Sequence, residues 1–416
     1  MSLLKTNIGI FVTTLNPASP SQARLQHELF SGLTRLGAHH YQFFVFCRDV
    51  SDPSPIGATF SFHRVEIDGP WATPVKKLRS RLAAMAIALA PLAGVDGGRT
   101  YARLIRWVAC EPPHFAQLRK LNIRLLWNLN QHELKSPVPY IRTVWEINHR
   151  IHSMFPEYAY ARYGFDGVDA GITQSLARAS YVITGTQEGK RQLVDMLGVH
   201  AGKVRVIPFP APQLPDPGQP DGEKDAYLFY PSRFWPHKNH VVILNALKIL
   251  REAHAVELPC VFTGSDNGNL DYVLSYAQKI GVRDLIDYRG AVTEQALAGL
   301  YRDATALLYV SAVGPDNLPP LEAMTLGCPA IVSDVPGARE QYGDAAIYFS
   351  PTDERALAAC VMKLIGDSDF RTAQIAHGRA RAASLTADGY VAAVMSIFDE
   401  FSVIARAWDR CDSSFT

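Results

Sequence analysis

Residues 227–250 read YLFYPSRFWPHKNHVVILNALKIL. The β-prone residues Tyr227 to Tyr230 run into a proline, and apolar residues then recur at helical spacing from Asn239 to Ala253. Arg233 follows the strand and Lys238 opens the helix, so two cations and a helix N-terminus converge at the carboxyl end of a strand. Guanidinium and ammonium donors, with backbone N–H groups that no helix carbonyl satisfies, suit a diphosphate and the charge that develops on it as a leaving group. Taken alone, the same letters also describe a solvated basic helix start.

The alternation continues in both directions. Downstream come β-rich runs at Pro259–Gly264, Leu285–Gly290, Thr305–Ser311 and Ala330–Ser333, with helices at Thr293–Asp303 and Pro320–Leu326 between them. Upstream come Asn7–Leu15, a helix at Ser21–Leu36, Tyr41–Asp49, Phe60–Ile67, Ile123–Leu129, Tyr140–Glu146, Tyr181–Thr186, a helix at Gln187–Leu197 and Val204–Phe209. Repeated strand and helix predict mainly parallel sheets covered on both faces. The segment PAPQLPDPGQPDGEKD, Pro210–Asp225, holds five prolines and reads as a linker. The expectation is an α/β chain of two doubly wound, Rossmann-like domains, residues 1–209 and 226–385, facing a central cleft. Residues 386–416 form a helix and tail that return toward the first domain.

The 416 residues exceed one small domain. Lys and Arg total 41 against 40 Asp and Glu, a balance that offers no polyelectrolyte drive toward nucleic acid. Six scattered cysteines without a C-x-x-C predict neither disulfide nor zinc scaffold and suit a reducing cytoplasm. The start, MSLLKTNIGIFV, leaves no room for a signal peptide before the first strand. The apolar run Leu82–Val95 is too short to span a bilayer. Lys76, Lys77, Arg79 and Arg81 precede it, so residues 76–95 have two open readings: a buried helix with a solvated basic end, or a helix docked on an anionic membrane surface.

The stretch VSAVGPDNLPPLEAMTLGCPAIVSDVP, Val310–Pro336, carries Asp316 and Asn317 in a loop and Glu322 in the first turn of a short helix. A carboxylate there can accept hydrogen bonds from vicinal sugar hydroxyls, or simply complement the helix dipole. The sequence holds no G-x-S-x-G, no H-E-x-x-H and no Walker loop, and no G-x-G-x-x-G follows the first strand, so hydrolase, zincin, P-loop and dinucleotide-oxidoreductase signatures are missing.

The ordered series PSRFWPHKNH, FTGSDNGN, YRGAVTEQALAGLYRDA and NLPPLEAMTLGCPAIVSD resembles the family 4 retaining glycosyltransferases of the GT-B fold, over about residues 226–367. The resemblance implies that Arg233 and Lys238 grip the pyrophosphate of a nucleotide sugar, GDP- or UDP-linked, with no metal or other cofactor. It implies that Gly264 and the backbone of Arg289, Gly290 and Val292 line the base pocket. Leu318 and Glu322 serve the nucleoside, with Glu322 on the ribose. The family's other glutamate would fall at position 314, which is Gly314 here, leaving Asp316 and Asn317 to replace it.

In VPYIRTVWEINHRIHSMFPEYA, Val138–Ala159, the family's histidine-aspartate pair and second histidine correspond to Trp145, Glu146 and His149. Glu146 and His149 are therefore the candidates for positioning the reactive sugar; a metal site of Glu146, His149 and His152 is disfavoured, since a cationic pyrophosphate site needs none. Asp367 and Asp369 form an isolated D-x-D read as surface charge, while Thr184 and Thr186 close a strand facing the cleft with Lys190 one helical turn on, a group read either as part of the site or as capping and a solvated lysine. The implied activity is hexose transfer, in polysaccharide synthesis, from a nucleotide sugar to a glycan or lipid-linked glycan. Residues 1–209 would bind the acceptor and 226–385 the donor, in the cytoplasm or at its membrane face. A sugar-nucleotide epimerase or hydrolase, and a binding protein without catalysis, remain open alternatives.

Overall fold

A computed structural model describes residues 6–14, 20–37, 41–49, 60–64, 82, 85, 113–129, 136–159, 164–218, 226–314 and 316–407. Two parallel sheets organise them. The first contains β1 (Thr6–Thr14), β2 (Tyr41–Asp49), β3 (Ser61–Arg64), β4 (Leu125–Asn128), β5 (Tyr140–Thr143), β6 (Tyr181–Thr184) and β7 (Val204–Val206), in the order β3-β2-β1-β4-β5-β6-β7. The second contains β8 (Leu228–Pro231), β9 (Cys260–Thr263), β10 (Ile286–Tyr288), β11 (Ala306–Tyr309), β12 (Ala330–Ser333) and β13 (Ala346–Phe349), in the order β10-β9-β8-β11-β12-β13. Strands such as CVFT, ALLY and AIVS are buried along their whole length, as required of parallel strands with helices on both faces. In each sheet the order reverses beside the opening strand, at β1/β4 and β8/β11, and a crevice opens beyond the carboxyl ends at such a switch point.

Local chemistry sets the helix ends. Thr186 accepts the Gly189 N–H at 3.1 Å to start the helix Gln187–Leu197, and Gly198, at φ +64°, ends it. Asp367 caps the helix Ser368–Ser384 through the Phe370 N–H, which gives half of the isolated D-x-D a structural task. Lys190 reaches the Val204 carbonyl at 3.4 Å.

The chain passes between the sheets twice, and the crossings are tied together by Ala211 N–H donating to the Leu385 carbonyl at 2.8 Å. Beyond the second crossing, the helix Ala387–Ala405 places Tyr390, Val394, Ile397, Phe398 and Phe401 at i, i+3 and i+4 spacing into the core of the first sheet. Phe398 meets Tyr41 and Trp127 edge-on at centroid separations of 5.6 and 6.1 Å. The two domains are therefore joined by a shared helix as well as by a linker.

The sequence reading did not include β13 or the helix Glu354–Gly366. Apart from Leu82 and Met85, both exposed, residues 76–95 lie outside the described residues, as does the end of the Phe60–Ile67 run. No helix among the described residues is long and apolar enough to cross a membrane, and Cys47, Cys260, Cys328 and Cys360 are free thiols.

Candidate active site

The loop after β8 is built on a close approach to the loop after β9. Ser232 N–H donates to the Thr263 carbonyl at 2.9 Å, and a Cβ on Gly264, whose φ is +126°, would lie 2.4 Å from the Ser232 carbonyl oxygen. Only glycine fits there. Phe234 is fully buried and stacks on His240 at 4.2 Å, so its neighbour Arg233 is turned outward. Arg233 is exposed and, among the described residues, its guanidinium has no hydrogen-bond or ion-pair partner. A 3-10 turn, Pro236–Lys238, precedes the helix His240–His254, which begins two residues later than Lys238 because Asn239 adopts φ +57°.

Lys238 Nζ donates to the Tyr309 hydroxyl at 3.2 Å, and Tyr309 donates in turn to Asn317 Oδ1 at 2.7 Å. Asn317 is held on every side: its Nδ2 donates to the Gly314 carbonyl, its N–H to Gln341, and its carbonyl accepts from Gln341 Nε2 and the Tyr342 hydroxyl. Asp316 points away from this relay, toward the first domain, where a Cβ on Gly185 would lie 2.2 Å from its Oδ1. Of the two candidates to replace the family glutamate, Asn317 is the one linked to Lys238. Burial and the Glu340 charge push the Asp316 carboxyl up to about 8, against the Gly185 N–H.

From the first domain, β5 leads through Trp145, stacked on Phe209 at 4.1 Å, to Glu146, whose carboxylate accepts the Asn148 N–H at 2.5 Å. Burial raises the Glu146 carboxyl, opposed by that N–H and by the charges of His149 and Lys238. The Nε2 of His149 is 3.1 Å from Asp169, which also binds Arg150. Glu146 and His149 thus have different partners, Glu146 the Asn148 N–H and His149 the Asp169 carboxylate, both within the first domain. Among the described residues no three His, Cys, Asp or Glu side chains converge as metal ligands.

Glu157 and Tyr158 complete the contact across the cleft. Glu157 Oε1 accepts the His237 N–H at 2.9 Å and pairs with His237 Nδ1, while the Tyr158 ring stacks on the imidazole at 5.3 Å. Burial and the Lys238 charge lower His237 to about 4, so the ring is neutral near pH 7 and donates from Nδ1. Nearer the hinge, Glu340 accepts the Gln187 and Glu188 N–H groups at the start of a first-domain helix.

Glu322 lies 4% exposed on the helix Pro319–Thr325. Its Oε2 accepts the Tyr301 hydroxyl at 2.8 Å and its Oε1 accepts Arg24 Nη2 at 2.6 Å. The Gly290 carbonyl accepts the Gly264 N–H at 2.8 Å, Arg289 is exposed and paired with Asp287, and Val292 and Leu318 are half-buried. The loops assigned to the base thus meet at Gly264. Arg24, Glu157 and Tyr309 carry no motif; a tyrosine closing the buried strand ALLY was the one readable signal among them.

With this geometry, residues 216–381 match the family model described as glycosyl transferases group 1. The carboxyl-terminal domain belongs to that family. The chain is 27% identical over 196 residues to the O-antigen chain mannosyltransferase RfbU of Salmonella typhimurium, covering 46% of this chain and 53% of that one. Similarity to the D-inositol 3-phosphate glycosyltransferase of Streptomyces coelicolor is 26% over 266 residues, covering 54% and 58%. The chain thus spans little more than half the length of these curated relatives. Around the group 1 domain the whole chain has the GT-B architecture. Sucrose-phosphate synthase from Thermosynechococcus elongatus superposes with a TM-score of 0.66 at 16% identity, over 96% of this chain and 100% of that one. Anabaena HepE, solved with UDP and glucose, gives 0.63 at 12% identity, over 95% and 100%.

Proposed function

We propose that this protein is a retaining glycosyltransferase that moves a hexose from a GDP- or UDP-linked sugar to a hydroxyl of a glycan or lipid-linked glycan. One observation carries the reading: the relay Lys238–Tyr309–Asn317 lies at the β8/β11 switch point, and His237 beside it donates its N–H to Glu157 of the opposite domain. The exposed Arg233 and the amine of Lys238 draw off the diphosphate by stabilising its charge. Glu146 and the Asn317 amide hold the hexose, and the acceptor attacks from the face the diphosphate leaves, with a phosphate oxygen as base. That route needs no side-chain nucleophile. The contacts of Glu157 and Glu340 across the cleft favour a closed form that keeps water from competing. The names of the mannosyltransferase relatives make mannose the first donor sugar to try.

The test incubates the protein with GDP- and UDP-hexoses and with free and lipid-linked glycans, following diphosphate release, sugar transfer and the anomeric configuration of the product by NMR. Transfer with retained configuration is expected. Diphosphate without glycosylated product indicates a hydrolase, nucleotide binding without turnover a binding protein, and an inverted product overturns the front-face route.

A further inference from the structure

Arg24 lies on the first-domain helix Pro20–Gly37, and its guanidinium crosses to the second domain. Nη2 is 2.6 Å from Glu322 Oε1 and Nη1 is 2.6 Å from Glu294 Oε1. The side chain is 9% exposed and Glu322 5%, whereas Glu294 is 39% exposed. Neither contact is the two-pronged pairing that makes an arginine–carboxylate bond strong, and the buried Nε has no partner. With Tyr301 on Oε2, both oxygens of Glu322 are engaged by protein groups. A ribose diol seated on this carboxylate has to reach the same two oxygens, and the Arg24 guanidinium occupies the approach to one of them.

We propose that Arg24 gates the donor site: its guanidinium and the ribose hydroxyls of a nucleoside diphosphate compete for Glu322, so nucleotide enters only as the Arg24–Glu322 contact is released. This rests on the reading of the cleft as a nucleotide-sugar site. The consequence is a coupling between donor and domain position. Without nucleotide the ion pair holds the first-domain helix against the group 1 domain, and nucleotide exchanges that bond for one of its own. The apparent affinity for nucleotide is then reduced by the fraction of molecules in which the contact is closed.

The experiment measures binding of a panel of nucleoside diphosphates, UDP and GDP included, to the full chain by isothermal titration, comparing wild type with Arg24→Gln and Lys238→Ala. Removing the competing cation is expected to tighten binding about tenfold, while Lys238→Ala weakens it. Unchanged or weaker binding by a folded Arg24→Gln variant overturns the gate and leaves the donor site standing. No binding by wild type, or binding indifferent to Lys238→Ala, overturns the donor site itself. Should Arg24→Gln fail to fold, hydrogen exchange on the wild-type chain decides. Nucleotide is expected to increase exchange along Pro20–Gly37 while protecting the loop 232–239; protection or no change along that helix overturns the gate.

Discussion

The side-chain amide of Asn317 fills the space that a side chain at Gly314 would need: a Cβ there would lie 2.8 Å from Asn317 Oδ1 and 2.9 Å from Nδ2. Gly314 also has φ +113°, where residues with a side chain are strained. The glutamate that the family resemblance implies at this position would therefore meet a local arrangement in which Asn317 is hydrogen-bonded to Tyr309 and to the Gly314 carbonyl.

Restoring the family residue should therefore harm the protein. Gly314→Glu is expected to destabilise by roughly 1–3 kcal/mol, the usual cost of a strained backbone site, and to lower turnover by displacing Asn317. Chemical denaturation and transfer kinetics check both; a more active, equally stable variant refutes this account of the loop.

Arg233 and Lys238 should separate stability from activity. Because Arg233 is exposed and has no partner among the described residues, Arg233→Ala should change stability by less than about 0.5 kcal/mol. If it stabilises leaving-group charge, turnover should still fall by roughly two orders of magnitude. Normal turnover would remove Arg233 from the site. Lys238→Ala should cost both, since it leaves the Tyr309 hydroxyl short of a donor.

Asp316 should set an alkaline limit. Its carboxyl keeps a proton in the folded chain up to about pH 8, against an ordinary value of 3.8. The folded state thus binds the proton more tightly, and stability falls as pH rises through the interval between those values. Asp316→Asn removes the charge and should flatten this limb, raising stability at pH 7.5 relative to pH 5 by roughly 1–3 kcal/mol. Denaturation at the two pH values measures it, and parallel wild-type and variant profiles would contradict the assignment.

His240 should act on the acid side. Its ring is 1% exposed, neither nitrogen has a partner, and burial with the charge of Lys238 lowers it to about 3. The unfolded chain takes up the proton first, so stability is complete above about pH 6.5 and is lost as pH falls toward 3. His240→Phe, which keeps a ring against Phe234, should narrow the Tm difference between pH 7 and pH 4.5. An unchanged difference would assign the acid limb elsewhere, His237 being the next group to test.

Much of the fold was legible because parallel strands buried on both faces have few alternatives. FVFC, CVFT, ALLY and AIVS are continuous apolar runs, and helical periodicity between them leaves little choice but a doubly wound sheet. The loop after β8 was legible too, since proline, cations and helix start are adjacent in the chain. The direction of a loop side chain was not. Asp316 and Asn317 are neighbours, yet one faces Gly185 across the domains and the other joins Lys238, because the Gly314 backbone and the Gln341 and Tyr342 contacts decide which way each points.

The sequence alone determined two α/β domains, the strand ends at which chemistry gathers, and Arg233, Lys238 and Glu322 as the residues to watch. Tertiary structure alone decided their partners. Arg24 and Glu322 are 298 residues apart, and Glu157 and His237 are 80 apart. Helical period and strand alternation act over a few residues, whereas a salt bridge across a cleft depends on how two separately built sheets are set against each other, and no local pattern encodes that distance.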